Sequence, residues 1–149
     1  MKQEIAIRIA EALESGLYQQ TSGCLHRVKS SPCSSDGQIV QPGHCCLGVA
    51  CDLHATETGR SWENTDIPGA EFASYLGENI VLPLTVVEWA GFENPYGQTR
   101  DGSDAFEGID EPLIRNHEGI PFNCLANAND AGVPFAIIAK ALRRNWAKF

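Results

Sequence analysis

Apolar residues recur at helical spacing near both ends of the chain. In residues 2–15 they fall at i, i+4, i+7 and i+8, and charged residues fill the other positions. This pattern is typical of an amphipathic helix with one buried face. Gly16 suits the left-handed position just beyond a helix C-terminus. Residues 134–147 carry a similar stripe, and the two segments therefore predict a first and a last helix.

Residues 45–57 differ, because apolar side chains occupy two stripes of the predicted helix instead of one. A helix that is apolar on both sides is buried among other elements, so we expect this helix at the centre of the domain. A further short helix is predicted over residues 84–90, since Pro83 suits its first turn and Gly91 its end.

Short extended segments lie between the predicted helices. Residues 23–28 and 38–40 flank a turn-rich stretch at 30–37, and residues 113–115 and 120–122 flank another turn at 116–119. Such pairs indicate antiparallel hairpins. Extended segments are also predicted at 72–75 and 79–82. The sequence therefore predicts an α+β fold with about four helices and two or three short antiparallel hairpins around a central buried helix.

Length and charge narrow the class of protein. With 149 residues and 20% charged residues, we expect a single domain over 1–149. The net charge is −8, which disfavours binding to duplex nucleic acid or to a membrane surface. Residues 93–112 contain six acidic residues and one basic residue. We therefore expect an acidic, solvated loop insertion there.

The six cysteines favour reduced thiols in a cytoplasm, because the N-terminus lacks a secretory signal pattern. They are Cys24, Cys33, Cys45, Cys46, Cys51 and Cys124. His44, Cys51 and His54 fall near one face of the predicted helix, which is compatible with a zinc site, but the sequence has no Cys-x-x-Cys motif. We expect no metal site and no cofactor.

The segment that begins the central helix supports several interpretations. Cys45 or Cys46 at a helix N-terminus would be a thiol nucleophile of lowered pKa, with His117 as its base, oriented by Asn116, Asn123 or Asp130. Alternatively, the same N-terminus would bind an anion, with charge added by His26, Arg27 or His44. A structural interpretation makes the cysteines small hydrophobic residues of a buried helix.

Two other features have both a structural and a functional interpretation. Trp62 follows the central helix in a predicted loop, where it would stack on a nucleobase or simply pack against the core. Asn129 and Asp130 precede the last helix, where we expect a turn and an N-cap. The glycine-rich phosphate loops of common nucleotide-binding proteins are absent from the sequence.

An ordered set of motifs, which includes Leu-Pro at 82–83 and Trp-Ala-Gly-Phe at 89–92, resembles a family of small proteins encoded by bacteriophages and prophages. The most specific is Cys-Cys-Leu-Gly-Val-Ala-Cys-Asp-Leu at 45–53. Before it comes Ala-Leu-Glu-Ser-Gly-Leu-Tyr-Gln-Gln at 12–20, and near the end comes Leu-Ala-Asn-Ala-Asn-Asp-Ala-Gly-Val-Pro-Phe at 125–135. The chain departs from the family pattern in the acidic insertion at 93–112 and in the Asn-Ala-Asn-Asp run at 127–130.

The resemblance implies a protein that acts in the cytoplasm of an infected bacterial host. Small acidic phage proteins without enzyme motifs include inhibitors of host defence, some of which sequester a nucleotide immune signal. We therefore expect a binding protein rather than an enzyme, homo-oligomeric, with a small nucleotide-like ligand. The expected ligand-binding residues are His26, Arg27, His44, Cys45, Trp62, Asn129 and Asp130. A papain-like thiol hydrolase or transferase and an acidic protein-binding inhibitor remain the alternatives.

Overall fold

The computed structural model describes residues 1–29, 31–32, 39–64, 71–111 and 114–149. Within these ranges the helices are α1 (Gln3–Glu14), α2 (Cys46–Thr58), α3 (Leu84–Ala90), α4 (Leu125–Asp130) and α5 (Phe135–Asn145), which a 3₁₀ turn extends over Trp146–Lys148. The strands are β1 (His26–Arg27), β2 (Ser31–Pro32), β3 (Ile39–Val40), β4 (Gly43–His44), β5 (Glu63–Asn64) and β6 (Phe72–Ser74). The predicted α+β class is confirmed.

Helices α1 and α5 pack against each other through the apolar stripes that the sequence predicts. Both are buried along one side, with Ile9 of α1 and Ile138 of α5 almost inaccessible. An ion pair of 2.7 Å between Arg143 and Glu14 joins the helices at the surface. Gly16 adopts the expected left-handed conformation, with φ at +75°.

Helix α2 lies at the centre of the molecule and contacts α1, α3 and α4. Val49, Ala50 and Cys51 are fully buried. The central buried helix is therefore confirmed, and it begins at Cys46, one residue later than predicted. Gly59 ends it in the left-handed conformation, with φ at +69°.

Four strands form an antiparallel sheet in the order β4-β1-β6-β5, and β2 pairs with β3 beside it. The prediction paired residues 23–28 with 38–40. Instead, β3 pairs with Ser31–Pro32, and β1 pairs with Gly43–His44. Most of the turn predicted at 30–37, and Gln38, lie outside the described residues.

Two other predicted extended pairs are weaker in the structure. The hairpin around 116–119 consists of a single bridge between Arg115 and Pro121, with Asn116 closing the turn, while Leu113 lies outside the described residues. Residues 79–82 form no strand, although Asn79 O accepts a hydrogen bond of 2.7 Å from Leu25 N.

The acidic segment is packed against the rest of the domain on one side. Ala105 and Phe106 are fully buried. Three of its acidic residues form ion pairs with basic residues of the chain, namely Glu93 with Arg100, Glu107 with Lys148 and Glu111 with Lys140. The segment is therefore a solvated acidic surface whose apolar residues contribute to the core.

The turn and N-cap predicted at Asn129 and Asp130 are wrong, because both residues belong to α4. The residue that precedes α5 in the N-cap position is Pro134. No helix in the described ranges is long and apolar enough to span a membrane.

Candidate functional site

Five rings meet between the sheet and α2, and we call them the aromatic cluster: Tyr18, His26, His44, Trp62 and Tyr75. The imidazoles of His26 and His44 stack with centroids 3.9 Å apart and planes 14° apart. They face each other because these two residues are register partners in β1 and β4. Trp62 contacts both imidazoles edge-on, at 5.0 and 5.6 Å, so the strand pairing determines the geometry of the cluster.

Asp52 of α2 holds two members of the aromatic cluster by hydrogen bonds. The Tyr18 hydroxyl donates to one carboxylate oxygen at 2.7 Å, and Trp62 Nε1 donates to the other at 3.0 Å. Burial and this hydrogen bond raise the pKa of Tyr18 above its usual value. Asp52 therefore holds one ring that precedes β1 and one that precedes β5.

Both stacked imidazoles are neutral at physiological pH. Burial is the main cause that lowers the pKa of His44, to about 4, and the charge of a protonated His26 lowers it further. Burial also lowers the pKa of His26. Neither side chain therefore supplies the positive charge that the sequence assigned to a phosphate site.

A polar cleft of about 390 Å³ adjoins the cluster. It is lined by Gln19 to Ser22, Ile39, Gln41, Asn129, Asp130 and Gly132. The extended segment from Tyr18 to Thr21 connects the two features, since Tyr18 packs on His44 and Thr21 N donates to His44 O. Two predicted site residues, Asn129 and Asp130, thus lie in this cleft.

The N-terminus of α2 is already occupied by groups of the chain itself. Asn129 Oδ1 accepts from Cys46 N at 3.1 Å, and Cys45 Sγ accepts from Gly48 N at 3.3 Å. These backbone N–H groups are the ones a helix offers to an anion. The expected use of this helix end as a phosphate site is therefore not supported, and Asn129 acts as a cap from a distant part of the chain.

The cysteines do not have the environment of a thiol nucleophile. Burial raises the pKa of Cys45 to about 12 and that of Cys46 well above its usual value, opposite to the lowered pKa that the sequence suggested. His117 lies on the exposed 116–119 turn with 88% of its side chain accessible. The structure thus gives Cys45, Cys46 and His117 no shared catalytic geometry.

Arg27 is the other predicted residue that the structure places apart. It neighbours His26 in β1, so its side chain leaves the opposite face of the strand. Its guanidinium pairs with Glu71 at 3.0 Å and also contacts Ser22 O. The site therefore unites His26, His44 and Trp62, with Asn129 and Asp130 in the adjoining cleft, but it excludes Arg27 and the buried Cys45.

Sequence reasoning missed Tyr18 and Tyr75, which complete the aromatic cluster, and Asp52, which accepts hydrogen bonds from two of its rings. Tyr18 and Asp52 both lie within the motifs at 12–20 and 45–53, so the motifs themselves were the available signal. In the parts of the chain that the structure describes, no group of three or more His, Cys, Asp or Glu residues could hold a metal ion. His54, considered above as a zinc ligand, instead shares a hydrogen bond of 2.7 Å with the Tyr75 hydroxyl.

Comparison with known proteins gives a family and no further relative. Neither the curated proteins nor the solved structures with which the chain was compared include a match. A family model described as a domain of unknown function, DUF8296, matches residues 1–146. Because this match covers nearly the whole sequence, the chain belongs to the DUF8296 family.

Proposed function

We propose that the protein is a non-enzymatic binding protein that sequesters a small nucleotide-like molecule at the aromatic cluster and the adjoining cleft. The rings would contact the base, and the cleft would hold the sugar and the remainder of the ligand. Aromatic side chains stack on nucleobases with little dependence on the base, because every base has a π-face. The cleft volume of about 390 Å³ lies in the usual range for small-molecule sites.

One observation carries this proposal. Thr21 Oγ1, His26 Nδ1 and His44 Nε2 are among the buried side-chain atoms of the described residues that have no hydrogen-bond partner. All three belong to neighbouring parts of the same site. Buried polar atoms without a partner are costly and call for a specific explanation. A bound molecule with polar edges would supply the missing hydrogen bonds after small movements of the rings.

The charges favour the nucleoside part of a ligand over its phosphate. The two imidazoles are neutral at pH 7, Arg27 is paired with Glu71, and Asp130 adds a carboxylate to the cleft. Among the described residues of the cluster and the cleft there is no lysine or arginine that a phosphate group could pair with. We therefore expect binding to depend on the base and the sugar and to change little with salt concentration.

The biological setting in the proposal comes from the resemblance of the sequence to phage and prophage proteins. We propose a phage protein that acts in the cytoplasm of the infected bacterium and inhibits a host defence by removing its nucleotide signal. A homo-oligomer is part of the proposal, because such sequestering proteins usually build their pockets across subunits.

The decisive experiment measures binding directly and tests the rings. Adenosine, guanosine, their monophosphates and cyclic dinucleotides are titrated into the protein, and binding is measured by calorimetry. In the native protein the Trp62 indole N–H resonance is also followed by NMR. Mass spectrometry of small molecules released on heating identifies a ligand retained during purification. Replacing Trp62 with Ala should weaken binding at least fivefold, since base stacking contributes about 1–3 kcal/mol per base.

Tyr96→Ala is the matched control, because Tyr96 is an exposed aromatic residue with 52% accessibility that belongs to neither the cluster nor the cleft. It should leave the affinity unchanged. Circular dichroism establishes that both variants are folded. The proposal is wrong if no probe binds and no molecule is released, or if both variants lose the same affinity.

A further inference from the structure

A second cavity, unrelated to the aromatic cluster, lies between α5 and the acidic segment. It is a groove of about 450 Å³, and its walls include Ile109, Glu111, Lys140, Arg143 and Arg144. Three of these side chains are cationic in a chain whose net charge is −8. The groove therefore brings together most of the positive charge that the last helix carries.

Arg144 is held in place by a glycine. A Cβ atom at Gly108 would lie 2.5 Å from Arg144 Nη2 and 2.7 Å from Cζ, so the guanidinium rests directly on the Gly108 backbone. Gly108 also has φ at +74°, a conformation that favours glycine. Both the space and the backbone geometry at this position therefore require glycine for Arg144 to lie where it does.

Arg144 is the cation of the groove with no direct ion-pair partner among the described residues, although its charge helps to lower the pKa of Glu107. Arg143 pairs with Glu14 at 2.7 Å, and Lys140 pairs with Glu111 at 2.9 Å. By contrast, no hydrogen bond or ion pair from within the described ranges engages the exposed Arg144 guanidinium. Its face is covered by Gly108, while its N–H donors, which lie in the plane of the group, remain available.

We propose that this groove binds the phosphate monoester group of a small molecule, with Arg144 as the bidentate donor. A planar guanidinium matches two phosphate oxygens, and hydrogen bonds between charged groups are the strong ones. Ile109 offers an apolar contact to the remainder of the ligand. The carboxylates of Asp110 and Glu111 also line the groove, and Arg143 and Lys140 are each paired with a carboxylate, so the proposal depends on Arg144.

The inference is independent of the proposed function, because the groove shares no residue with the aromatic cluster or its cleft. Phenyl phosphate is the probe, since it joins a phosphate monoester to an apolar ring of the size that Ile109 could contact. Binding is measured by calorimetry and by NMR at low ionic strength, and again at physiological salt. Benzoate serves as the carboxylate counterpart and inorganic phosphate as the probe without a ring.

Four variants define the site. Arg144→Gln removes both the charge and the bidentate pair of N–H donors, and it should weaken phenyl phosphate binding about tenfold or more. Arg144→Lys keeps the charge but loses the bidentate geometry, so its affinity should be intermediate. Gly108→Ala should displace Arg144 and weaken binding without removing any charge. Arg115→Gln is the control, because Arg115 is an exposed arginine next to the 116–119 turn and donates to Gly119 O.

The outcomes distinguish a specific binding site at Arg144 from non-specific attraction of an anionic probe to exposed arginines. The proposal stands if Arg144→Gln and Gly108→Ala weaken binding while Arg115→Gln does not, and if phenyl phosphate binds more tightly than benzoate. It is overturned if the native protein does not bind phenyl phosphate, or if Arg115→Gln has the same effect as Arg144→Gln. Binding of an acidic peptide but not of phenyl phosphate would also overturn it, in favour of a protein partner. Unfolding curves of each variant establish that it is folded.

Discussion

Gly48 lies where α2 passes closest to the backbone of Leu25. A Cβ atom at this position would be 1.8 Å from Leu25 O and 2.7 Å from its carbonyl carbon. Leu25 O also accepts a hydrogen bond of 3.1 Å from Cys45 N. The start of the central helix therefore packs directly against the segment that leads into β1, and only glycine permits so close an approach of the two backbones.

We predict that Gly48→Ala destabilises the protein by roughly 3 kcal/mol or more, because the added methyl group has no space in a close-packed interior. The substitution would otherwise favour a helix, since alanine has the higher helix propensity by about 1 kcal/mol. Chemical denaturation measures the free energy of unfolding.

Gly16→Ala is the control for Gly48→Ala. Gly16 has φ at +75°, but a Cβ atom there would meet nothing within 4 Å. This variant should lose only the cost of the left-handed conformation, about 1–2 kcal/mol. Equal stability of Gly48→Ala and the native protein would contradict the close approach to Leu25.

Asn129 shows what a single sequence conceals at the scale of one residue. The sequence singled out this position, but it assigned the side chain to the neighbouring helix. In the structure its amide donates to Thr21 O at 2.8 Å and its oxygen accepts from Cys46 N. Both partners are more than 80 residues away in sequence, and no local pattern encodes a contact of that separation.

Among the helices, a hydrophobic period or flanking Pro and Gly residues decided which could be predicted. Helices α1, α2 and α5 have 11 to 13 residues, enough for a hydrophobic period to appear. The seven-residue α3 is instead marked by Pro83 and Gly91. Helix α4 has six residues, of which three are Asn or Asp, and its sequence is typical of a turn. It is helical because Leu125, Ala128 and Asn129 are buried against α2 and α5, so tertiary packing prevails over local preference.

The burial of His44, where β4 pairs with β1, makes the free energy of unfolding depend on pH. The pKa of His44 falls from 6.5 to about 4 in the folded state, mainly through burial. Below pH 6.5 the unfolded chain binds a proton that the folded protein accepts only near pH 4. The free energy of unfolding should therefore fall as the pH decreases through this window, by up to about 3 kcal/mol. The lowered pKa of His26 acts in the same direction.

Urea denaturation at a series of pH values between 7 and 4 tests this prediction. His44→Phe keeps a planar ring in the stack but cannot be protonated, so its stability should vary less over the window. His117→Gln is the control, because the His117 side chain is 88% exposed, and it should follow the native curve. A native curve with the same slope as that of His44→Phe would contradict the burial of the His44 ring.

At the scale of the whole molecule, the residues of the candidate site come from separate parts of the chain. The sequence named His26, His44 and Trp62, because each stood near a turn or beside the central helix. It could not show that the strand register stacks the first two, or that Asp52 of α2 holds Trp62. It also included Arg27 and Cys45, because a sequence does not show whether a charged group or a thiol is accessible. In the structure Arg27 is paired with Glu71 and Cys45 is buried.

The burial of the cysteines throughout the molecule gives the last prediction. Cys24, Cys45, Cys46, Cys51 and Cys124 are free and buried, and burial raises the pKa of each. Alkylation requires an accessible thiolate, so all five thiols should react with iodoacetamide only when the protein unfolds locally or globally.

A Cys33→Ser variant, which removes the cysteine outside the described residues, is used to test this prediction. Labelling mapped by mass spectrometry should be slow at pH 8 and complete in urea. Because these thiols lie in or beside the core around α2, their labelling rates should rise together as the free energy of global unfolding falls. Rapid labelling of Cys45 or Cys46 in the native protein would contradict this and would restore the thiol nucleophile as an interpretation.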